Sequence, residues 1–448
     1  MPSAKDIRAL LRLAGPIVTV QVGGMLMGVT DTVIMGHVSS RELAATALGN
    51  LYFYGLNGFG LGIVWGADPI VAQAMGAKDH ESAALGIQRG IVLGLALGVL
   101  MSLLCLPAGL VFSSLRQPAD VVPRATLFVL ISAPSLVFML AYMTLRQSLQ
   151  AMKHTGPILL TVLTGNLVNL ALNYVFVFGH FGVPAMQSAG SALASVCARL
   201  VMLGMLLWLS RRQLAPMLRP WRPAAFSLRP LWRTLQIGVP IGLQNTVEFA
   251  TFAGISVLAG WFGADAISGH QVALNLASLM FMVPMGMGSA ASVLVGHAIG
   301  ASDMPHARRA AASALLCGAA FMVLSAILLL AIPGELARLY TNVPGVVTVA
   351  ATLIPIAGLF QVFDGLQVVA AGVLRGAGDT RAPLLANVLG FWLVGMPVSL
   401  WLGFKAGLGV LGLWWGFVAG LAAVALFLMM RVRVLLSGQV ARVRVEGH

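Results

Sequence analysis

Long apolar stretches alternate with short polar stretches along the whole chain. Twelve of these stretches hold about 20 or more mostly apolar residues, enough for an α-helix to cross a bilayer. Glycine and proline recur within several of them, so tilted or kinked helices are expected. The predicted spans are residues 9–36, 46–75, 86–112, 124–148, 157–180, 188–210, 232–261, 265–299, 309–332, 348–374, 383–404 and 409–431. The pattern predicts an all-α polytopic membrane protein with twelve transmembrane helices.

The chain contains an internal repeat. The segment "VAQAMGAKD" (71–79) matches "VGHAIGASD" (295–303) at an offset of 224 residues. Each half holds six predicted spans, an even number, so both halves enter the membrane in the same direction. This is a parallel repeat, and transporters built in this way place the substrate site between their halves. We therefore predict two pseudo-symmetric six-helix bundles.

A polar segment near the midpoint separates the halves. It reads "RPWRPAAFSLRPLWR" (219–233), and its proline and arginine residues are typical of a linker. The predicted domains are an N-terminal six-helix bundle over 1–218, a cytoplasmic linker over 219–233 and a C-terminal six-helix bundle with a short basic tail over 234–448.

Composition and charge agree with a membrane protein. The chain is 59% hydrophobic, and only 9% of its residues are charged, against about 25% in soluble domains. With both termini in the cytoplasm, 21 of the 27 Lys and Arg residues fall on the inner side and five on the outer side. This bias is typical of the positive-inside rule. The net charge of +13 is thus explained by topology, and it does not indicate nucleic-acid binding.

Three acidic residues lie well inside predicted spans. They are Asp31, Glu248 and Asp364. An acid at the middle of a transmembrane helix costs about 2.5–3.5 kcal/mol on insertion scales. The corresponding positions of the other half hold no acid, since they are occupied by Ile255, Gly24 and Phe138. Packing of the repeat does not require the acids, so we interpret them as functional; a set of hydrogen-bonded core acids is the alternative.

Basic partners for these acids are scarce. Arg199 is the single Lys or Arg that lies deep in a predicted span, and one arginine cannot pair with three carboxylates. The acids are therefore expected to be protonated, bound to a cation or facing water.

Other polar residues in the spans lie near the acids. In "TGNLVNLALNYVF", Asn169 and Asn173 share one helix face with Asn166, and Ser191 follows in the next span. Such amides could instead join helices by hydrogen bonds. In the second half, the candidate lining residues of a substrate cavity are Gln244, Gln361, Gln367 and Phe360. The ring of Phe360 could face a cation.

Motifs of other functional classes are absent from the sequence. It contains no P-loop, so ATP-driven export is not indicated. It also contains no HExxH motif and no nucleophile elbow. The cysteines, Cys105, Cys197 and Cys317, show no metal-binding spacing. We therefore predict a carrier, neither an enzyme nor a protein with a bound cofactor.

Several segments resemble the multidrug and toxic compound extrusion (MATE) family, and within it the NorM-like branch. The resemblance covers nearly the whole chain. It rests on "TDTVIMGH", "VAQAMGA", "NLVNLALNYVFVFG", "GHQVALNLASLMFMVPMG" and "QVFDGLQVVAAGVLRGAGDT". The last segment is long and specific, and the glutamate of the seventh span resembles the acid of the NorM-like branch.

The resemblance implies a secondary active antiporter. It would export cationic or amphipathic drugs in exchange for Na⁺ or H⁺ by alternating access. The family's second-half cation site corresponds to Glu248 and Asp364, where Na⁺ could bind. Its first-half acid corresponds to Asp31, with Asn169, Asn173 and Ser191 as companions. The choice of ion stays open, because Phe360 stands where some relatives have a tyrosine.

The resemblance also implies the surroundings of the protein. We expect a monomer in the bacterial inner membrane, in contact with lipid and without nucleic-acid partners. Two other functions remain as alternatives. A lipid-linked saccharide flippase of the same superfamily would need a basic cavity for phosphate. A membrane-embedded enzyme or channel would belong to another class.

Overall fold

A computed structural model describes residues 2–443 of the chain. Within these residues every regular element is helical and no strand is present. They form two compact units: the N-terminal unit comprises Thr19–Gly242, and the C-terminal unit comprises residues 2–18 and Leu243–Val443. Met1 and the end of the predicted basic tail, residues 444–448, lie outside the described residues.

The helices of the first half follow one another with short connections. They are α1 (Ala4–Val38), α2 (Ser40–Trp65), α3 (Asp68–Gly76), α4 (His80–Leu104), α5 (Ala108–Ser114), α6 (Val122–Ser132), α7 (Ser135–Ala151), α8 (Gly156–Phe178), α9 (Gln187–Leu209) and α10 (Arg211–Leu218).

The second half repeats this pattern after a 3₁₀ turn at Pro223–Phe226. Its helices are α11 (Leu228–Gly260), α12 (Ala264–Gly300), α13 (Met304–Ala331), α14 (Pro333–Arg338), α15 (Pro344–Gly376), α16 (Arg381–Asn387), α17 (Met396–Leu400) and α18 (Val410–Ser437). A π-helical segment, Val388–Gly395, joins α16 to α17, and a second, Trp401–Lys405, extends α17, so that one continuous span results.

Within residues 2–443, nine helices are long and apolar enough to cross a membrane, and the bent pair α6–α7 makes a tenth. Two further long helices, α2 and α11, complete the twelve predicted segments. Neither contains a stretch as apolar as those of the nine: α11 carries Arg233, Gln244 and Glu248, and α2 carries Asn50, Asn57 and five glycines. One of the polar residues of α11, Glu248, is an acid that the sequence analysis interprets as functional.

The predicted span 124–148 is broken. Helices α6 and α7 meet at an angle of 48° at Ala133 and Pro134. Proline has no backbone N–H and clashes with the preceding turn, so it ends or kinks a helix. The break places Ser135 at the start of α7.

Helices α1 and α11 each contribute to both compact units. The division falls between Val18 and Thr19 in α1, and between Gly242 and Leu243 in α11. A proline precedes it by two residues in each case, Pro16 and Pro240. The compact units therefore differ from the predicted halves at these two helices. The two division points, after Val18 and after Gly242, are themselves 224 residues apart.

The predicted linker 219–233 is packed against α4 by hydrogen bonds. The side-chain amide of Gln88 donates to the carbonyl of Pro220 at 3.2 Å. The guanidinium of Arg89 donates to the carbonyl of Ala224 at 3.2 Å. Because Gln88 is fully buried and Arg89 nearly so, these bonds satisfy polar groups that would otherwise be costly. The connection is thus an ordered part of the N-terminal unit.

Candidate functional site

A buried polar cluster surrounds Asp31 in the N-terminal unit. Asn173 donates its Nδ2–H to Asp31 Oδ1 at 2.8 Å, and Ser195 donates its hydroxyl to Asp31 Oδ2 at 2.9 Å. Asn169 donates its Nδ2–H to Ser195 Oγ at 3.1 Å. All four side chains are at most 6% exposed. We call Asp31, Asn169, Asn173 and Ser195 the N-terminal cluster.

Helix periodicity brings this cluster together. Asn169 and Asn173 are four residues apart on α8, so they project from one face. Ser191 and Ser195 have the same spacing on α9. The structure brings Asn169 and Asn173 to Asp31, as the sequence predicts, but Ser195, which sequence reasoning missed, makes the serine contact. Ser191 is buried one turn earlier, and its hydroxyl has no hydrogen-bond partner within the described residues.

Several acceptor oxygens remain beside Asp31. The Oδ1 atoms of Asn169 and Asn173 are buried and have no hydrogen-bond donor within residues 2–443. Together with the Ser191 hydroxyl they add neutral oxygen ligands to one carboxylate. Hard cations such as Na⁺ prefer oxygen ligands of this kind. The arrangement can therefore accept a cation or a proton near Asp31.

A second buried cluster surrounds Glu248 in the C-terminal unit. Asn387 donates its Nδ2–H to Glu248 Oε2 at 3.1 Å, and Gln367 donates its Nε2–H to the same oxygen at 3.5 Å. The Gln367 amide also contacts Asn387 Oδ1 at 3.4 Å. Asp364 lies three residues before Gln367 on α15, on the helix face that contacts Glu248. We call Glu248, Asp364, Gln367 and Asn387 the C-terminal cluster.

Two oxygens of this cluster have no donor. Asp364 Oδ1 and Gln367 Oε1 are buried and make no hydrogen bond within the described part of the chain. Asp364 and Gln367 are three residues apart on α15 and share a face. Asn387, which sequence reasoning missed, ends α16 where the π-helical segment begins. Its sequence signal was an amide within the apolar stretch "LLANVLGF".

The other predicted cavity residues lie around this cluster and not in it. Gln361 accepts a hydrogen bond from the Ser325 hydroxyl at 2.7 Å, which ties α15 to α13. Gln244 is buried one turn before Glu248 on α11. No hydrogen bond joins it to the C-terminal cluster among the residues that the structure describes.

Phe360 lies in an aromatic cluster. It is 1% exposed, and its ring centre is 5.6 Å from that of Trp414 and 5.7 Å from that of Phe417. Phe252 packs edge-on against it at 6.1 Å. Phe360 lies one turn before Asp364 on α15 and so on the same helix face, but its ring packs against other aromatic rings. It contributes to aromatic packing, and its ring is not open to a cation.

His270 joins three helices of the C-terminal unit. The Trp414 Nε1–H donates to His270 Nδ1 at 3.1 Å, and His270 Nε2 lies 2.9 Å from Ser256 Oγ. Because the indole nitrogen can only donate, Nδ1 accepts and the proton is on Nε2. Ser256 in turn donates to the carbonyl of Phe252 at 3.0 Å. The neutral imidazole thus holds α11, α12 and α18 together.

None of the three buried acids forms an ion pair with Lys or Arg in the described chain. No group of three or more His, Cys, Asp or Glu side chains is placed to hold a metal there either. An unpaired carboxylate inside a membrane protein is costly unless a proton, a cation or water neutralises it. Two carboxylates with amide oxygens suit reversible binding of a monovalent cation or a proton.

The family comparison matches most of the chain. The sequence profile of the family described as MatE matches residues 16–175 and 240–401. The two matched segments correspond to the two halves of the internal repeat.

Solved structures share the fold. The crystal structure of the eukaryotic MATE transporter AtDTX14 has a TM-score of 0.88 at 22% identity, with 96% of each chain covered. An outward-facing multidrug resistance MATE family transporter of the MOP superfamily has a TM-score of 0.86 at 18% identity, with 96% of each chain covered. A MOP superfamily transporter from Pyrococcus furiosus has a TM-score of 0.86 at 19% identity and the same coverage. At these identities the likeness shows the fold, which is the predicted one of twelve helices.

Proposed function

This chain belongs to the MatE family of membrane transporters, and we propose that it is an antiporter that exports cationic or amphipathic compounds in exchange for Na⁺ or H⁺. The predicted family is confirmed, and with it the predicted class, an integral membrane transporter of the multidrug-efflux type rather than an enzyme. Its assignment to the NorM-like branch stays a prediction.

The observation that carries the proposal is the pair Glu248 and Asp364. These acids lie on α11 and α15, which meet at the contact of Gln367 with Glu248, and no Lys or Arg forms an ion pair with them in the described chain. Two like charges in an apolar surrounding favour uptake of one positive ion or proton. A purely structural role would call for a basic or fully hydrogen-bonded partner, and Asp364 Oδ1 has none there.

Exchange follows from competition for these carboxylates. A cation that enters from outside neutralises the pair, and the affinity for a cationic substrate falls. The substrate leaves outward, and the cation is later released into the cytoplasm, where substrate rebinds. Coupling of this kind requires that each ligand bind the two access states with different free energies. The N-terminal cluster offers a second cation-binding position at Asp31.

The driving ion is tested with purified protein in proteoliposomes. Ethidium or norfloxacin efflux is followed while a Na⁺ gradient and a pH gradient are imposed separately. We expect one of the gradients to accelerate efflux, and a collapse of that gradient by an ionophore to abolish the acceleration. The antiporter proposal fails if neither gradient has an effect.

The roles of the two acids are tested in the same vesicles. Glu248→Gln and Asp364→Asn keep the shape of each side chain but remove its charge. Each is expected to lower gradient-driven efflux by about tenfold or more, within the usual range of coupling free energies. Glu335→Gln is the matched control, because Glu335 is an exposed acid paired with Arg338. Normal transport by both site variants would refute the assignment of the acids.

The flippase alternative is disfavoured by the state of Arg199. A phosphate-bearing lipid substrate would need an available buried cation. The Arg199 guanidinium already donates to Ser135 Oγ at 2.6 Å and lies 4.8 Å from the centre of the Phe53 ring. The alternative predicts transport of a phosphate-bearing lipid and no response of that transport to Glu248→Gln.

A further inference from the structure

Arg199 is a half-buried arginine within the apolar helix α9 of the N-terminal unit. It lies on α9, one turn after Ser195, and therefore on the same helix face as the serine that binds Asp31. Its guanidinium donates to Ser135 Oγ at 2.6 Å, at the start of α7. It also lies over the ring of Phe53, which is 1% exposed, at 4.8 Å from the ring centre.

These contacts fix the position of a positive charge. The hydrogen bond and the cation–π contact hold the guanidinium on two sides, by α7 and by α2. Ser135 is itself fixed, because its hydroxyl donates to the carbonyl of Ser132 at 2.6 Å across the α6–α7 break. Arg199 forms no ion pair with Asp31 within 4.0 Å, but it lies one turn after Ser195, the residue whose hydroxyl donates to that carboxylate.

The C-terminal cluster has no comparable cation. It holds two carboxylates, and no Lys or Arg lies within one helical turn of any of its four residues along the chain. The N-terminal cluster has one carboxylate with one fixed positive charge nearby. The two clusters thus offer similar oxygen ligands in different electrostatic surroundings.

We propose that Arg199 is an internal counter-cation that weakens cation binding at the N-terminal cluster and so determines which of the two clusters binds cations tightly. The inference rests on the proposed function, in which both clusters take cations. The physical reason is Coulomb repulsion between the guanidinium and an arriving cation, which screening by water does not cancel in a buried site. Asp31 then binds cations weakly enough to release them.

The test isolates the N-terminal cluster. Glu248→Gln and Asp364→Asn are combined in the full chain, which removes the charges of the C-terminal cluster. Binding of ²²Na⁺ and of ethidium, a fluorescent cation, is then measured on the purified protein in nanodiscs. Arg199→Met removes the positive charge and keeps an apolar side chain of similar length. It is expected to tighten binding of at least one of the two cations by about tenfold or more, as expected for loss of a nearby like charge.

Matched variants separate charge from packing. Arg199→Lys keeps the charge and is expected to keep the weak binding. Ser135→Ala removes a contact of Arg199 but not its charge, and it is also expected to leave the affinity weak. Asp31→Asn added to Arg199→Met is expected to abolish the gain. If Arg199→Met does not fold, Arg199→Gln replaces it, since its amide can still donate to Ser135 Oγ.

Two results would overturn the inference. One is unchanged or weaker binding of both cations by the folded charge-removing variant. The other is equal tightening by Arg199→Lys, which would assign the effect to packing. The proposed function fails separately, if neither a Na⁺ gradient nor a pH gradient accelerates efflux by the unsubstituted protein.

Discussion

The three buried acids differ in what surrounds each carboxylate. Both oxygens of Asp31 accept hydrogen bonds, one from Asn173 and one from Ser195. Glu248 accepts from amides at Oε2, while Asp364 Oδ1 has no donor among the described residues. Hydrogen bonds to a carboxylate favour its ionised form, and their absence favours neutralisation by another ligand. Judged by these hydrogen bonds, Glu248 and Asp364 need neutralisation by a cation or proton more than Asp31 does.

The serine that binds Asp31 gives a test of the N-terminal cluster. A hydrogen bond to a charged group contributes about 1.5–3 kcal/mol, so Ser195→Ala should lower the free energy of unfolding by roughly that amount. Ser191→Ala is the matched control, because the Ser191 hydroxyl is buried without a partner and its removal should cost little. With the partly buried Cys197 and Cys317 replaced by alanine, thermal unfolding can be followed by labelling of the buried Cys105 with a thiol-reactive dye. Equal effects of the two alanine variants would contradict the observed contact.

At the scale of helices, glycine sets the position of α15. A Cβ atom at Gly372 would lie 2.2 Å from the carbonyl oxygen of Gly288, and one at Gly376 would lie 2.4 Å from that of Ser292. The backbones of α12 and α15 therefore touch at two points one turn apart. Small residues at such spacing let membrane helices approach closely. The contact determines the depth and rotation at which α15 presents the acid and amide of the C-terminal cluster.

This contact predicts a large effect of one methyl group. Gly372→Ala should destabilise the protein by about 1–3 kcal/mol, because a backbone atom cannot move aside as a flexible side chain can. Gly204→Ala, also in a helix, meets no atom within 4 Å and should be neutral or slightly stabilising. Thermal unfolding midpoints of the two purified variants check the prediction. Similar midpoints would show that α12 and α15 do not touch at Gly372.

At the scale of the whole molecule, the parallel repeat and the basic residues predict one orientation. Both halves begin on the same side, and the excess of Lys and Arg puts that side in the cytoplasm. The linker and the loop between α14 and α15 then lie on opposite sides of the membrane. Ser227 and Asn342 are exposed residues in these two segments.

Cysteine labelling tests this orientation. The three native cysteines are first replaced by alanine, and then Ser227→Cys or Asn342→Cys is added. A membrane-impermeant maleimide should label the Asn342→Cys variant in intact cells. It should label the Ser227→Cys variant only after the membrane has been permeabilised. The reverse pattern would place both termini outside and contradict the predicted orientation.

Much of the architecture could be predicted from the sequence because it depends on local properties. Hydropathy over about 20 residues marks a span, and the offset of 224 reveals the repeat. An acid in an apolar stretch, such as Glu248 in "NTVEFATF", is conspicuous without knowledge of its neighbours. The interruption at Pro134 has a local cause as well.

The tertiary structure decided which distant residues meet. The choice of Ser195 over Ser191 depends on the rotation of α9 against α1, and the contact of Asn387 with Glu248 joins residues 139 positions apart. Phe360 shares a helix face with Asp364, yet its ring packs among aromatic residues from other helices. The assignment of α1 and α11 to both compact units also follows from packing. Periodicity places a side chain on a helix face, but the partner on that face depends on how the helices pack.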